Sequence, residues 1–297
     1  MRILVAVNKQ LYSVNAINQV ATLAKSTWAD VTLLGTEIKS EAPELKKGTL
    51  TGMEGLDMEM AKVLDGYRKQ FVRMVGDKDS PYTPDHGDYH LKQDEKGTLT
   101  LDYNGRNGRK SLNARIRFGN AVKEILAESL EKDMDLILIV CGESGPCEWA
   151  NHVNVPQKVA QNAKCSVFIV KEEKKPEMIV CCLDHDKVSQ DSLELINQLV
   201  TLYQAELEIV GLKTGDALKS EVDHKMAEIL NYYHDRNIRA WIRLVEANDL
   251  KSFISQAARD NLVALWMGKE SFLDKFFPKK LLEEFVSTAG SSVLILR

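Results

Sequence analysis

The sequence predicts an α/β protein made of two doubly wound parallel sheets, one in each half of the chain. Three observations carry that reading. Apolar runs of strand length alternate with segments whose apolar residues recur at helical spacing, the alternation that builds a parallel sheet with helices on both faces. The plan then returns: Gly142 and Gly268 lie 126 residues apart, and so do Val167 and Val293, at matching points of a strand, glycine turn, helix, strand series. Finally, 297 residues with 44 % hydrophobic content suffice for two domains of ~150 residues, each with a core of its own.

Taken in order, Ile3–Val7 is a continuous apolar run, the mark of a strand covered on both faces. Ser13 is placed to cap a helix through Ala16, Ile17, Val20, Leu23 and Ala24, and Val31–Leu34 is a second strand. Such a unit is parallel and right-handed in nearly all cases. A glycine-bearing loop, Lys39–Gly52, leads into a helix from about Met53 to Val75 with Met60, Leu64, Tyr67 and Phe71 on its apolar stripe. The polar stretch Gly76–Ser111 reads as an insertion. Its Leu99, Leu101 and Tyr103 followed by Asn104-Gly105 predict a hairpin turning at Asn104-Gly105. With Tyr82, His86, Tyr89 and Leu91 it carries more apolar surface than a disordered linker, so it is expected to be ordered and to rest on the other domain or a second chain. Ala114–Phe118, Leu136–Val140 and Ser166–Val170 supply the remaining strands, with helices over Ala121–Leu130 and Val155–Asn162.

Lys171–Glu177 is a charge-rich linker. The domains are therefore set at 1–172, with the insertion at about 76–111, and 177–297. In the second half Met178–Leu183, Glu206–Leu212, Ile238–Val245, Leu262–Met267 and Ser292–Leu296 repeat the strands, with helices between them.

Composition excludes several function classes. A net charge of −4 and a pI near 5.9 give no footprint for nucleic acid. No apolar run approaches the ~20 residues that span a bilayer. The opening MRILVAV is too short for a signal peptide and reads as a strand. Cys141, Cys165, Cys181 and Cys182 lie in or beside apolar strands, Cys147 lies in a glycine-bearing loop, and none forms a CxxC pair; the expectation is a reducing, cytoplasmic compartment.

The residues Ile179–Asp184, the run from Arg117 to Gly142 and the run from Gln157 to Val170 resemble the universal stress protein family, and the resemblance covers both halves. It implies a tandem protein, each domain a five-stranded parallel sheet of order 3-2-1-4-5 related to adenine-nucleotide alpha-hydrolases. Members of that family pair through the last strand, so the apolar Ser166–Val170 and Ser292–Leu296 segments would supply the paired edges. Many members also bind ATP between strands one and four, where the strand order reverses. Their motif is a first-strand Asp, then Gly-x2-Gly, nine residues, and Gly followed by Ser or Thr at a helix start; glycines let the backbone approach phosphate and helix N–H groups favour the anion.

Both halves depart from that motif. The first keeps Gly142 and Gly145 but has Asn8 for the acid and Val155-Pro156 for the last pair. The second keeps Asp184 and Gly268, has Ser271 for the second glycine, and Leu281-Leu282 for the last pair. Asn8, Gly142, Gly145, Asp184, Gly268 and Ser271 are thus the candidate cofactor-binding residues, with ATP or another adenine nucleotide as the implied ligand and the second half favoured for its acid. The plain reading of Gly142 and Gly268 is a turn needing positive φ. His185 and Asp186 beside Asp184 have no third partner for a metal. Cys147 and His152 have no third group to orient them, so no catalytic residue is assigned. Phe272, Phe276 and Phe277 read as a plug or a dimer contact.

The resemblance implies a non-enzymatic stress-response or regulatory protein, sensing a nucleotide through a degenerate cleft. The alternatives are an ATP-binding or nucleotide-hydrolysing enzyme, and a scaffold holding a partner with the insertion. The expected partners are a second copy or another protein through the inserted loop, not nucleic acid or membrane.

Overall fold

A computed structural model describes residues 1–9, 13–42, 58–76, 80–82, 89–103, 109–141, 148–149, 152–171, 175–183, 189–213, 220–268, 273 and 277–297. The chain divides into two compact units, Met1–Cys165 and Ser166–Arg297.

The first unit runs β1 (Arg2–Val7), α1 (Ser13–Thr27), β2 (Asp30–Glu37), α2 (Glu59–Val75), β3 (Tyr89–Gln93), β4 (Leu99–Tyr103), β5 (Leu112–Phe118), α3 (Ala121–Glu131), β6 (Leu136–Val140), β7 (Glu148–Trp149), β8 (His152–Val153) and α4 (Val155–Asn162). Its main strands lie in the order β6-β1-β2-β5-β4-β3, and β7 and β8 form a separate two-residue ladder. The first four are parallel, with Ile3 opposite Val31 and Leu136, and Val31 opposite Leu112. β1 and β6 are buried along nearly their whole length, as continuous apolar runs demand.

The insertion corrects two expectations. It does form a hairpin, but β3 and β4 turn at Asp94–Thr98; Asn104 and Gly105 fall after β4 and outside the described residues. The Asp94 carboxylate accepts from the backbone N–H of Lys96 and of Thr98, and Gly97 adopts φ +83°, a conformation a side chain would strain. The side-chain turn at Asp94 thus overrides the Asn-Gly signal. The hairpin also extends its own sheet: β4 pairs antiparallel with β5, setting Leu99 against Ile116. A wholly parallel sheet is therefore not what forms; the insertion makes it mixed.

Helix α3 is tied to β5 by charge. Glu128 is fully buried and meets Arg115 at 2.9 Å and Arg117 at 2.8 Å. Arg117 also reaches Glu124 and Glu131, so each buried charge is compensated.

The second unit runs β9 (Ser166–Val170), β10 (Met178–Cys182), α5 (Gln190–Tyr203), β11 (Glu206–Lys213), α6 (Ser220–His234), β12 (Ala240–Glu246), α7 (Leu250–Ala257), β13 (Leu262–Trp266), α8 (Lys279–Thr288) and β14 (Val293–Leu296). Its strands lie in the order β12-β11-β10-β13-β14-β9. From β12 to β14 all are parallel, which is the expected 3-2-1-4-5 order. β9, the fifth strand of the first half, joins this unit antiparallel to β14, Phe168 opposite Leu294. The two fifth strands pair, and this sheet is mixed as well.

The units share packing detail as well as order. A Cβ on Gly35 of β2 would lie 2.5 Å from the sulfur of Met60 on α2, and one on Gly211 of β11 would lie 2.9 Å from Cε of Met226 on α6. In each unit a methionine from the second helix presses onto a bare backbone of the second strand.

Candidate functional site

In an open α/β sheet the crevice lies at the carboxyl ends of the strands, where the order reverses. That is beside the ends of β1 and β6 in the first unit, and of β10 and β13 in the second. Of the six candidate residues, the structure describes Asn8 and Gly268. Gly142, Gly145, Asp184 and Ser271 lie outside the described residues, as do Cys147, Phe272 and Phe276.

In the first unit β1 delivers Asn8, buried, to the carboxyl rim. Lys9 follows it, and its ammonium sits between two carboxylates, 2.8 Å from Glu37 at the end of β2 and 3.0 Å from Glu59 at the start of α2. Burial works to lower the Lys9 pKa, but the bonds to Glu37 and Glu59 outweigh it and hold it above its usual value. Burial pushes the Glu37 carboxyl up, against the pull of Lys9. The Lys9 ammonium beside Asn8 is thus engaged by the chain's own acids. Cys141, directly after β6, is buried and disulfide-bonded, which corrects its reading as a small hydrophobe; Cys165, Cys181 and Cys182 are thiols outside any disulfide. Trp149 is fully buried, and its indole N–H donates to the carbonyl of Val140, the last residue of β6, at 3.4 Å. Helix α4 starts at Val155 with Pro156 in its first turn; Asn154 before it is left-handed at φ 62° and gives no side-chain cap. Proline removes one of the N–H donors an anion would use.

In the second unit β13 ends in Trp266, which is nearly buried, and Gly268 follows two residues on. A Cβ on Gly268 would overlap the six-membered ring of Trp266. Gly268 is not in the left-handed region, so the turn reading fails; it is glycine because the indole lies where a side chain would be. Phe277 is buried edge-on against Phe285 of α8, ring centres 5.6 Å apart. Helix α8 starts behind Pro278, again with no side-chain cap.

Trp266 stands 126 residues after Val140, so the two units share a device that the sequence reading missed. Each sets a buried indole at the carboxyl end of the fourth strand, supplied by the strand itself in one and by the following segment in the other. The 126-residue offset was a signal that could have found it, by aligning Trp266 with an aliphatic position. Among the described residues no group of three or more His, Cys, Asp or Glu could hold a metal ion, and no helix is long and apolar enough to cross a membrane.

Several solved structures superpose on the whole chain. A universal stress protein from Archaeoglobus fulgidus DSM 4304 is 12% identical, covering 100% of this chain and 96% of that one, with a TM-score of 0.57. A putative universal stress protein from Pseudomonas aeruginosa UCBPP-PA14 is 15% identical over 99% of this chain and 92% of that one, at 0.57. This chain has the universal stress protein fold. The same fold also matches the cytoplasmic domain of a prokaryotic cation chloride cotransporter, 11% identical over 99% of this chain and 94% of that one, at 0.53. No family model matches the sequence, and no curated protein does. At these identities the universal stress protein likeness speaks for architecture; activity has to be argued from the site.

Proposed function

We propose that this chain is a non-enzymatic regulatory protein of the tandem universal stress protein type, with two degenerate nucleotide crevices. The observation that carries the proposal is the indole of Trp266 over Gly268. The glycine that would approach a phosphate in the second unit is covered by the chain's own side chain. In the first unit the incomplete motif is Asn8 with Gly142 and Gly145, and Lys9 beside Asn8 is already paired to Glu37 and Glu59. A nucleotide sensed by this protein would be taken there rather than at Asp184, Gly268 and Ser271.

The working units of the repeat are 1–172 and 177–297, with the fifth strand of the first half lent to the second unit. A scaffold role for the insertion is the weaker reading, because β4 is committed to the edge of β5. A cytoplasmic setting rests on the three thiols, and the disulfide at Cys141 pulls against it. The test is steady-state phosphate release from ATP–Mg2+ by the full chain. Release at the background rate is expected. Turnover that survives repurification and is lost in Asn8→Ala would overturn the non-enzymatic reading.

A further inference from the structure

The edge strand of the second unit stands open where its counterpart in the first is covered. Ile3 pairs with Val31 and Val31 with Leu112; Ile179 pairs with Leu207 and Leu207 with Ala240. Leu112 and Ala240 therefore correspond, Arg115 corresponds to Arg243, and Ile116 to Leu244. Ile116 is fully buried beneath Leu99 of the hairpin. Leu244 is 43% exposed, and among the described residues no strand lies beyond β12. A large apolar side chain on an open strand edge is a template for further pairing.

We propose that β12 pairs antiparallel with β12 of a second copy of this chain, across a twofold axis at Leu244. Backbone direction fits. The Leu207 N–H donates to the Arg239 carbonyl, so the odd-numbered residues of β12 turn their backbone groups to β11. Ile242, Leu244 and Glu246 therefore turn theirs outward. The Val31 N–H donates to the Ser111 carbonyl in the same way, and it is Ile116, with its groups outward, that the hairpin strand engages. The chain thus shows, on its own equivalent edge, the antiparallel pairing inferred here.

Self-complementarity selects the occupant and the register. With Leu244 opposite the partner's Leu244, the two leucines cover one another and exchange both backbone bonds. Ile242 falls opposite the partner's Glu246, and Arg243 opposite the partner's Val245. No like charges meet. A shift of one residue in each strand would set Arg243 against the partner's Arg243, which like-charge repulsion disfavours, or, in the other direction, Leu244 against the partner's Glu246, which uncovers the leucines. An open groove of 340 Å³ along this edge, walled by Phe253 and Gln256 of α7, leaves room for the partner strand's side chains. The contact is isologous, the commonest form of homo-oligomer. It does not depend on the nucleotide reading.

Sedimentation equilibrium of the full chain, with Leu244→Lys and Leu244→Cys, tests it. The wild type is expected to dimerise as concentration rises. Leu244→Lys, folded by circular dichroism, is expected to weaken the dimer roughly tenfold or more. Leu244→Cys is expected to cross-link under mild oxidation, since Cα atoms of such a pair lie about 5.5 Å apart, within disulfide reach. Wild-type protein gives the background from native thiols. A wild type monomeric at every concentration would leave the edge to some other strand and overturn the proposal. So would a dimer unchanged by Leu244→Lys, or no cross-link above background in Leu244→Cys.

Discussion

The indole of Trp266 lies where a side chain on Gly268 would have to be. Gly268→Ala is therefore expected to destabilise the protein by about 1–3 kcal/mol through overpacking. Replacing the indole with the residue at the matching position of the first unit, Trp266→Val, should remove most of that penalty. A double-mutant cycle by urea denaturation reads the coupling. Additive effects of the two substitutions would show that the ring and the glycine are not in contact.

Glu128 is fully buried between Arg115 and Arg117. Removing one member of a compensated buried set strands the others, so Glu128→Ala should cost about 3–5 kcal/mol. A loss below about 1 kcal/mol, typical of exposed pairs, would mean that the network is not closed to water.

Lys171 is nearly buried at the end of β9, and its ammonium donates to the Ala289 carbonyl at 2.5 Å. Burial pushes its pKa down to about 8 from 10.5. Between those values the unfolded chain binds more protons than the folded one, so stability should rise as pH climbs from about 8 towards 10.5. At pH 7 the buried charge costs up to about 3 kcal/mol. Lys171→Met is expected to be more stable than wild type near neutrality, with the gain shrinking as pH rises through that window. Thermal unfolding at several pH values checks this, and a gain that does not vary with pH would refute it.

Gly97 at φ +83° turns the inserted hairpin. Gly97→Ala should cost about 1–2 kcal/mol. The effect should appear in hydrogen exchange as faster amides across Leu99–Tyr103, with those of Ile3–Val7 unchanged. Uniform acceleration would mean that the hairpin unfolds with the whole unit.

The parallel strands were legible because buried strands write themselves as unbroken apolar runs, Ile3–Val7 and Leu136–Val140 most plainly. The repeat was legible because an offset of 126 residues aligns them. The pairing of Ser166–Val170 with Ser292–Leu296 was legible through the family resemblance, not through the residues themselves. The hairpin's turn was not, because Asn104-Gly105 outweighs Asp94–Gly97 as a turn signal until the Asp94 carboxylate is seen to accept two backbone N–H groups. The site was harder still. A tryptophan ending an apolar strand looks like core, and only the geometry shows that Trp266 covers the glycine. Lys9, Glu37 and Glu59 are far apart in sequence and meet only through the order of β1, β2 and α2.

The central claim is that the second crevice is filled from within. Calorimetric titration of ATP–Mg2+ into wild type and Asp184→Ala tests it most directly. Identical heats are predicted, whether both are blank or both report one site in the first unit. Binding by the wild type that disappears in a folded Asp184→Ala would contradict the claim.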